Sequence, residues 1–133
     1  DRHLKLADFD CAVLGSGNEL AGTPGFIAPE LLTGKTYDHR CDVYAYASFL
    51  FEITHASYPY WKEHTVAFKA GTAGSYLKTI GELMDARVMP QISPSIRPEF
   101  QQLMRDCWDF DPDKRPSMTD VKARVVAMKH LFP

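Results

Sequence analysis

Asp42-Val43-Tyr44-Ala45-Tyr46-Ala47-Ser48-Phe49-Leu50-Phe51-Glu52-Ile53-Thr54-His55-Ala56 is the stretch whose character decides the fold. Val43, Tyr44, Ala45, Tyr46, Ala47, Phe49, Leu50, Phe51 and Ile53 leave almost no polar face, and a helix apolar all round is a buried one. The run is too short for a membrane span, so it predicts a central core helix with Asp42 capping its start. Tyr58-Pro59-Tyr60-Trp61 then ends that helix in a bulky aromatic turn.

Working outward toward the C-terminus, residues 62–90 carry a weaker pattern. Small residues at 71–74 interrupt it, and a helix is predicted from Tyr76 to about Ala86. Pro98 opens the next helix, where Phe100, Leu103, Met104, Cys107 and Trp108 recur at helical spacing and form one apolar face. Ser117-Met118-Thr119-Asp120 is a capping box in which Ser117 and Asp120 each satisfy an otherwise free amide. The helix it starts has Val121, Val125, Met128 and Leu131 as its stripe. Toward the N-terminus, Pro29-Glu30-Leu31-Leu32 predicts a short helix ended by Gly34. The turn formers Gly15, Ser16, Gly17, Asn18, Gly22, Pro24 and Gly25 predict irregular backbone up to about residue 28. Before them, the alternating run Leu4 to Phe9 predicts a buried or edge strand. The fold class expected is therefore mainly α, helices packed around a buried central one, with a short β segment at the N-terminus.

The 133 residues fit one domain or part of one. With 45% hydrophobic and 24% charged residues, the chain is unlike disordered or collagenous sequences. A net charge of -2 with both signs interspersed offers no basic field for nucleic acid and no polybasic run for a membrane surface. Cys11, Cys41 and Cys107 are odd in number and widely spaced, which suits neither a disulfide framework nor a zinc knuckle. Their pattern points to a reducing, intracellular and cytoplasmic setting. His3, His39, His55, His64 and His130 show no metal-ligand spacing. Tyr58, Tyr60, Trp61 and Trp108 have no interleaved basic residues and are expected to pack rather than stack on bases. The abrupt charged opening without an initiating Met leads us to expect a piece of a longer chain.

Four patterns follow in order: Asp8-Phe9-Asp10; Gly22-Thr23-Pro24-Gly25-Phe26-Ile27-Ala28-Pro29-Glu30; Asp42-Val43-Tyr44; and Asp111-Pro112 with Arg115-Pro116. Together they resemble the second half of a protein kinase domain, and the resemblance covers essentially the whole chain. The Thr before Ala28-Pro29-Glu30 is similar to serine/threonine kinases. Cys107-Trp108 and the stretch 111–116 resemble the tyrosine-kinase-like branch.

The resemblance implies ATP and magnesium as cofactors of the parent domain and a protein hydroxyl, of Ser or Thr, as acceptor. Asp8 matches the Asp of the family's Asp-Phe-Gly motif, which ligates the magnesium bridging the ATP phosphates. Magnesium prefers hard oxygen ligands, which a carboxylate supplies. Asp10 departs from the family's Gly at that place. On an extended backbone the two carboxylates would point to one side, sharing a cation or repelling each other. Alternatively Asp10 faces solvent.

Residues between Phe9 and Ala28 match the activation segment, whose order phosphorylation can change. Ser16, between two glycines, is its candidate phosphosite. Thr23, Pro24, Gly25 and Phe26 match the lining of the substrate site. Glu30 and Arg115 match an ion pair tying the end of that segment to the last helices, and Asp42 matches an Asp that holds the catalytic loop's backbone. A kinase also needs a Gly-rich loop, a strand lysine paired with a helix glutamate, and a catalytic loop supplying Asp and Asn. None occurs in these residues. The domain is thus expected to be partial over 1–133, without N-lobe or catalytic loop, and inactive alone. The alternative is a pseudokinase scaffold that binds protein partners, suggested by Asp10 and by Ala47 where the family has Gly.

Overall fold

A computed structural model describes residues 3–72 and 74–131. Among these residues six α-helices follow in order: α1 Pro29–Leu32, α2 Arg40–His55, α3 Trp61–Lys69, α4 Tyr76–Asp85, α5 Pro98–Cys107 and α6 Met118–Ala127. Single 3-10 turns, Pro112–Lys114 and Lys129–Leu131, flank α6.

The main packing is α2 against α5. Val43, Tyr44, Ala47, Leu50 and Phe51 of α2 are buried together with Leu103, Met104, Cys107 and Trp108 from α5 and its C-terminal end. Trp108 could not be buried this way with its indole N–H unpaired; it donates to Ser48 Oγ at 3.0 Å, so the one polar residue in the buried face of α2 has a partner. The tilted rings of Phe51 and Trp108, 5.5 Å apart, complete the contact.

The central helix differs from its sequence reading in two ways. One face is open, with Phe49 at 42% and Ile53 at 59% exposure, so α2 is buried on one side only among the described residues. It also starts two residues early, and Asp42 lies in its first turn rather than at its cap. Asp38 takes the capping duty instead: Oδ1 accepts from the Arg40 amide at 2.9 Å while the same carboxylate receives the Arg40 guanidinium. At the other end Ala56, in the left-handed region, donates its amide to Glu52 and stops the helix.

The expected strand over Leu4–Phe9 does not form; residues 3–9 are irregular and exposed, with no neighbouring strand among the described residues to complete a ladder. The one pairing of this kind among the described residues is an isolated antiparallel bridge between Gly17 and Tyr37. α3 is an addition to the sequence reading. It buries none of its residues, so it carries no apolar stripe to signal it. The helices over 76–85, 98–107 and 118–127 lie where the periodicity placed them, and the Ser117–Asp120 capping box is formed in both directions.

Candidate substrate-positioning site

The segment Thr23–Phe26 is a tight turn closed by the Phe26 amide donating to the Thr23 carbonyl at 3.0 Å. Gly25 has φ +90, and a Cβ there would stand 3.1 Å from Tyr76 Oη and 3.5 Å from Pro59 Cδ. The backbone conformation and the crowding both select glycine. Tyr76 in turn donates its hydroxyl to the Pro59 carbonyl, so α4 and the α2–α3 turn jointly floor the segment. Thr23 is exposed, Pro24 and Phe26 are half-buried, and Ile27 and Ala28 sink into the core.

α1 follows at once, and its Glu30 is buried. Arg115, with its side chain fully buried, donates Nη1 to Glu30 Oε1 at 2.7 Å and Nη2 to Oε2 at 2.8 Å. Two further donors are used as well: Nη1 reaches the Arg40 carbonyl at 3.0 Å and Nε the Asp109 carbonyl at 2.8 Å. The guanidinium also lies 5.2 Å from the Tyr44 ring centre, a cation–π distance. A single planar cation thereby connects α1, the start of α2 and the loop after α5, which lysine could not do with one ammonium. Burial pushes the Tyr44 hydroxyl well above the usual tyrosine range, so it stays neutral beside this pair.

A second charged cluster adjoins it. Arg40 is shared between Asp38, at 2.9 Å, and Asp113. The Arg40 hydrogen bonds hold the Asp38 carboxyl at about 2, below its ordinary range.

The N-terminal candidates stand apart from this frame. Asp8 is exposed, in the left-handed region at φ 63, a conformation that asparagine and aspartate tolerate better than most residues. Asp10 lies in a turn closed by Ala12 N–H donating to the Phe9 carbonyl, so the extended arrangement that would aim both carboxylates to one side is not present. The unusual dihedral falls on Asp8 rather than on Asp10. Among the described residues no group of three or more His, Cys, Asp or Glu side chains is disposed to hold a metal. Asp8 suits magnesium by donor chemistry as one ligand of several, and these residues do not complete the set. Ser16 is exposed. Asp42 is exposed too, with a 3.9 Å contact from Cys41 Sγ to its Oδ1.

The sequence assigns no site role to Asp38, Arg40, Tyr44, Pro59 or Tyr76. Asp38 had a signal, an acid two residues before a helix that begins at Arg40; the other four are brought in by tertiary packing, which leaves no local trace.

The family model for the protein kinase domain matches residues 1–126, and the chain belongs to that family. Among similar proteins are the dual specificity protein kinase shkD of Dictyostelium discoideum, 28% identical over 92% of this chain, and the probable serine/threonine-protein kinase drkD of the same organism, 32% identical over 89%. The serine/threonine-protein kinase STY17 of Arabidopsis thaliana is 29% identical over 91%. The chain spans 16%, 8% and 20% of the length of these three relatives. Among the described residues no helix is long and apolar enough to cross a membrane.

Proposed function

We propose that the chain is the activation segment and C-terminal lobe of an ATP-dependent protein kinase that phosphorylates serine or threonine hydroxyls on proteins. The observation that carries this reading is the attachment of Thr23–Phe26 to the helical body: Gly25 fits against Pro59 and Tyr76, and Glu30, four residues after Phe26, is held bidentately by Arg115. A short turn with Thr23 exposed, held beneath Gly25 and just after Phe26, suits a surface on which a peptide is aligned, since positioning is much of what a kinase contributes. In this reading Thr23, Pro24, Gly25 and Phe26 contact substrate, Glu30 and Arg115 keep them in place, and Asp42 faces the catalytic loop. Asp8 supplies one carboxylate toward the magnesium that bridges the ATP phosphates; the metal neutralises phosphate charge when bound. Ser16 is a site of regulatory phosphorylation, and the setting is cytoplasmic.

The names of the relatives support serine/threonine chemistry, although shkD is named a dual specificity kinase. A second reading, a pseudokinase scaffold, is favoured by Asp10 replacing the family's Gly in a segment where Asp8 already has positive φ. Sequencing the transcript upstream of Asp1 separates the two. A catalytic loop with His-Arg-Asp and a following Asn, plus a strand lysine, supports the kinase; their replacement sinks it in favour of the scaffold. The 133 residues by themselves are expected to transfer no phosphate, and Asp8-dependent transfer by the isolated chain would overturn that.

A further inference from the structure

A cleft of about 490 Å³ opens between α1, the C-terminal end of α4 and the loop after α5, within the size range of pockets that take small organic ligands. Leu32, Met84 and Phe110 give it apolar walls, and Lys35, Asp85 and Arg87 stand at its exposed rim. Arg87 is placed there by the way α4 stops. The Val88 amide donates to the Leu83 carbonyl at 2.8 Å and the Arg87 amide to the Met84 carbonyl at 2.9 Å, the paired bonds of a Schellman motif. The motif holds Arg87 at φ 55, where glycine is the usual occupant and an arginine is strained. A strained side chain that the turn itself does not need points to a use for it elsewhere.

The Arg87 guanidinium lies 5.8 Å from the centre of the Phe110 ring, a cation–π distance. That contact engages its charge and none of its N–H donors. Neither Arg87 nor Lys35 has a side-chain hydrogen bond or ion pair among the described residues. Glu30 also lines the cleft, but Arg115 neutralises it. Beyond Phe110, Asp111 caps the 3-10 turn and Asp113 pairs with Arg40. Two cations therefore face one carboxylate without an ion pair among the described residues, that of Asp85. The balance is a single positive charge, which suits a monoanion better than a dianionic phosphate. We propose that the cleft is a binding site for a carboxylate carried on an apolar body. Arg87 and Lys35 hold the carboxylate by charge-assisted hydrogen bonds, while Leu32, Met84 and the Phe110 ring cover the apolar part. A free organic acid and an acidic side chain beside an apolar one on a partner protein share this chemistry.

The test is an NMR titration of the isotope-labelled chain with hydrocinnamate, whose carboxylate is two carbons from a phenyl ring. Acetate, the uncharged amide of hydrocinnamate and an end-blocked Gly-Glu-Phe-Gly peptide are titrated beside it. Amide signals of Lys35, Gly81, Arg87 and Phe110 should shift together and saturate, with a dissociation constant on the order of 1 mM, ordinary for so small a ligand. Acetate and the uncharged amide should each bind about tenfold more weakly or worse, because one lacks the apolar body and the other the charge. Arg87→Gly should weaken hydrocinnamate about tenfold or more without a marked fall in melting temperature, since glycine accepts φ 55 freely. Arg87→Lys should bind between the two, as one ammonium replaces part of the fork. Peptide binding tighter than hydrocinnamate supports the site and assigns it to a partner's side chain; weaker peptide binding supports it and assigns it to a free acid. Shifts that do not saturate, or that fall elsewhere, would overturn the site. Equal binding of the uncharged amide would overturn recognition of the anion, and unchanged binding by Arg87→Gly would overturn the role of Arg87.

Discussion

Replacing Glu30 by Ala removes the carboxylate from beneath a guanidinium whose side chain has no solvent exposure. Two charge-assisted hydrogen bonds, at 2.7 and 2.8 Å, are lost, and water cannot readily substitute for them. Breaking a buried pair by deleting one partner costs about 3 to 5 kcal/mol, because the other charge stays buried. Arg115 retains the Arg40 and Asp109 carbonyls and the Tyr44 ring, which puts the loss near the lower end, about 3 kcal/mol. That is about a hundredfold in the folded-to-unfolded ratio. Urea denaturation followed by helical circular dichroism reads it directly. Arg115→Lys should fall between wild type and Glu30→Ala, since one ammonium replaces only part of the fork. The double variant Glu30→Leu with Arg115→Met should recover most of the loss, because two apolar side chains leave no buried charge. A Glu30→Ala cost within about 0.5 kcal/mol of wild type, the range of an ordinary surface change, would refute the reasoning.

Other consequences are independent of this pair. Gly25→Ala should destabilise by about 1 to 3 kcal/mol through its positive φ and its crowding by Tyr76, read as a fall in melting temperature; an unchanged value would mean the turn relaxes freely. Thiol labelling should be selective: Cys11 is exposed, whereas burial pushes the Cys41 and Cys107 thiols up to about 11 and about 12. Mass mapping after brief maleimide treatment at neutral pH should find Cys11 modified first, and prior labelling of Cys107 would contradict the packing. Asp38 has a folded-state pKa of about 2 against an ordinary 3.8, so its contribution to stability is complete above about pH 4. It is lost as pH falls through about 2, and Asp38→Asn should flatten the stability profile in that window.

The sequence spoke most clearly where one element's own periodicity or capping chemistry was enough. Phe100, Leu103, Met104 and Cys107 share a face by spacing alone, and Ser117 with Asp120 closes its box within four residues; both appear as read. The central helix is less buried than its composition predicts, because an all-apolar run does not say how many of its faces find partners, and Phe49 and Ile53 remain open. α3 was invisible because Trp61, Val66 and Phe68 do not converge on any core. Leu4 to Phe9 alternates like a strand, yet a strand needs a neighbour to pair with. For the candidate site, Glu30 and Arg115 were suggested by resemblance, while the Tyr76–Pro59 floor under Gly25 joins residues far apart in the chain and had no local signature.

The most direct test of the account is phosphotransfer by the protein translated from the whole reading frame that contains these residues, compared with its Asp8→Asn variant. Labelled ATP, magnesium and a generic protein acceptor are supplied, and the product is hydrolysed to identify the phosphorylated amino acid. Label is expected on serine or threonine, with Asp8→Asn slower by about a hundredfold or more as a magnesium-ligating carboxylate is lost. Equal rates for the two proteins, or no transfer by either, would contradict it.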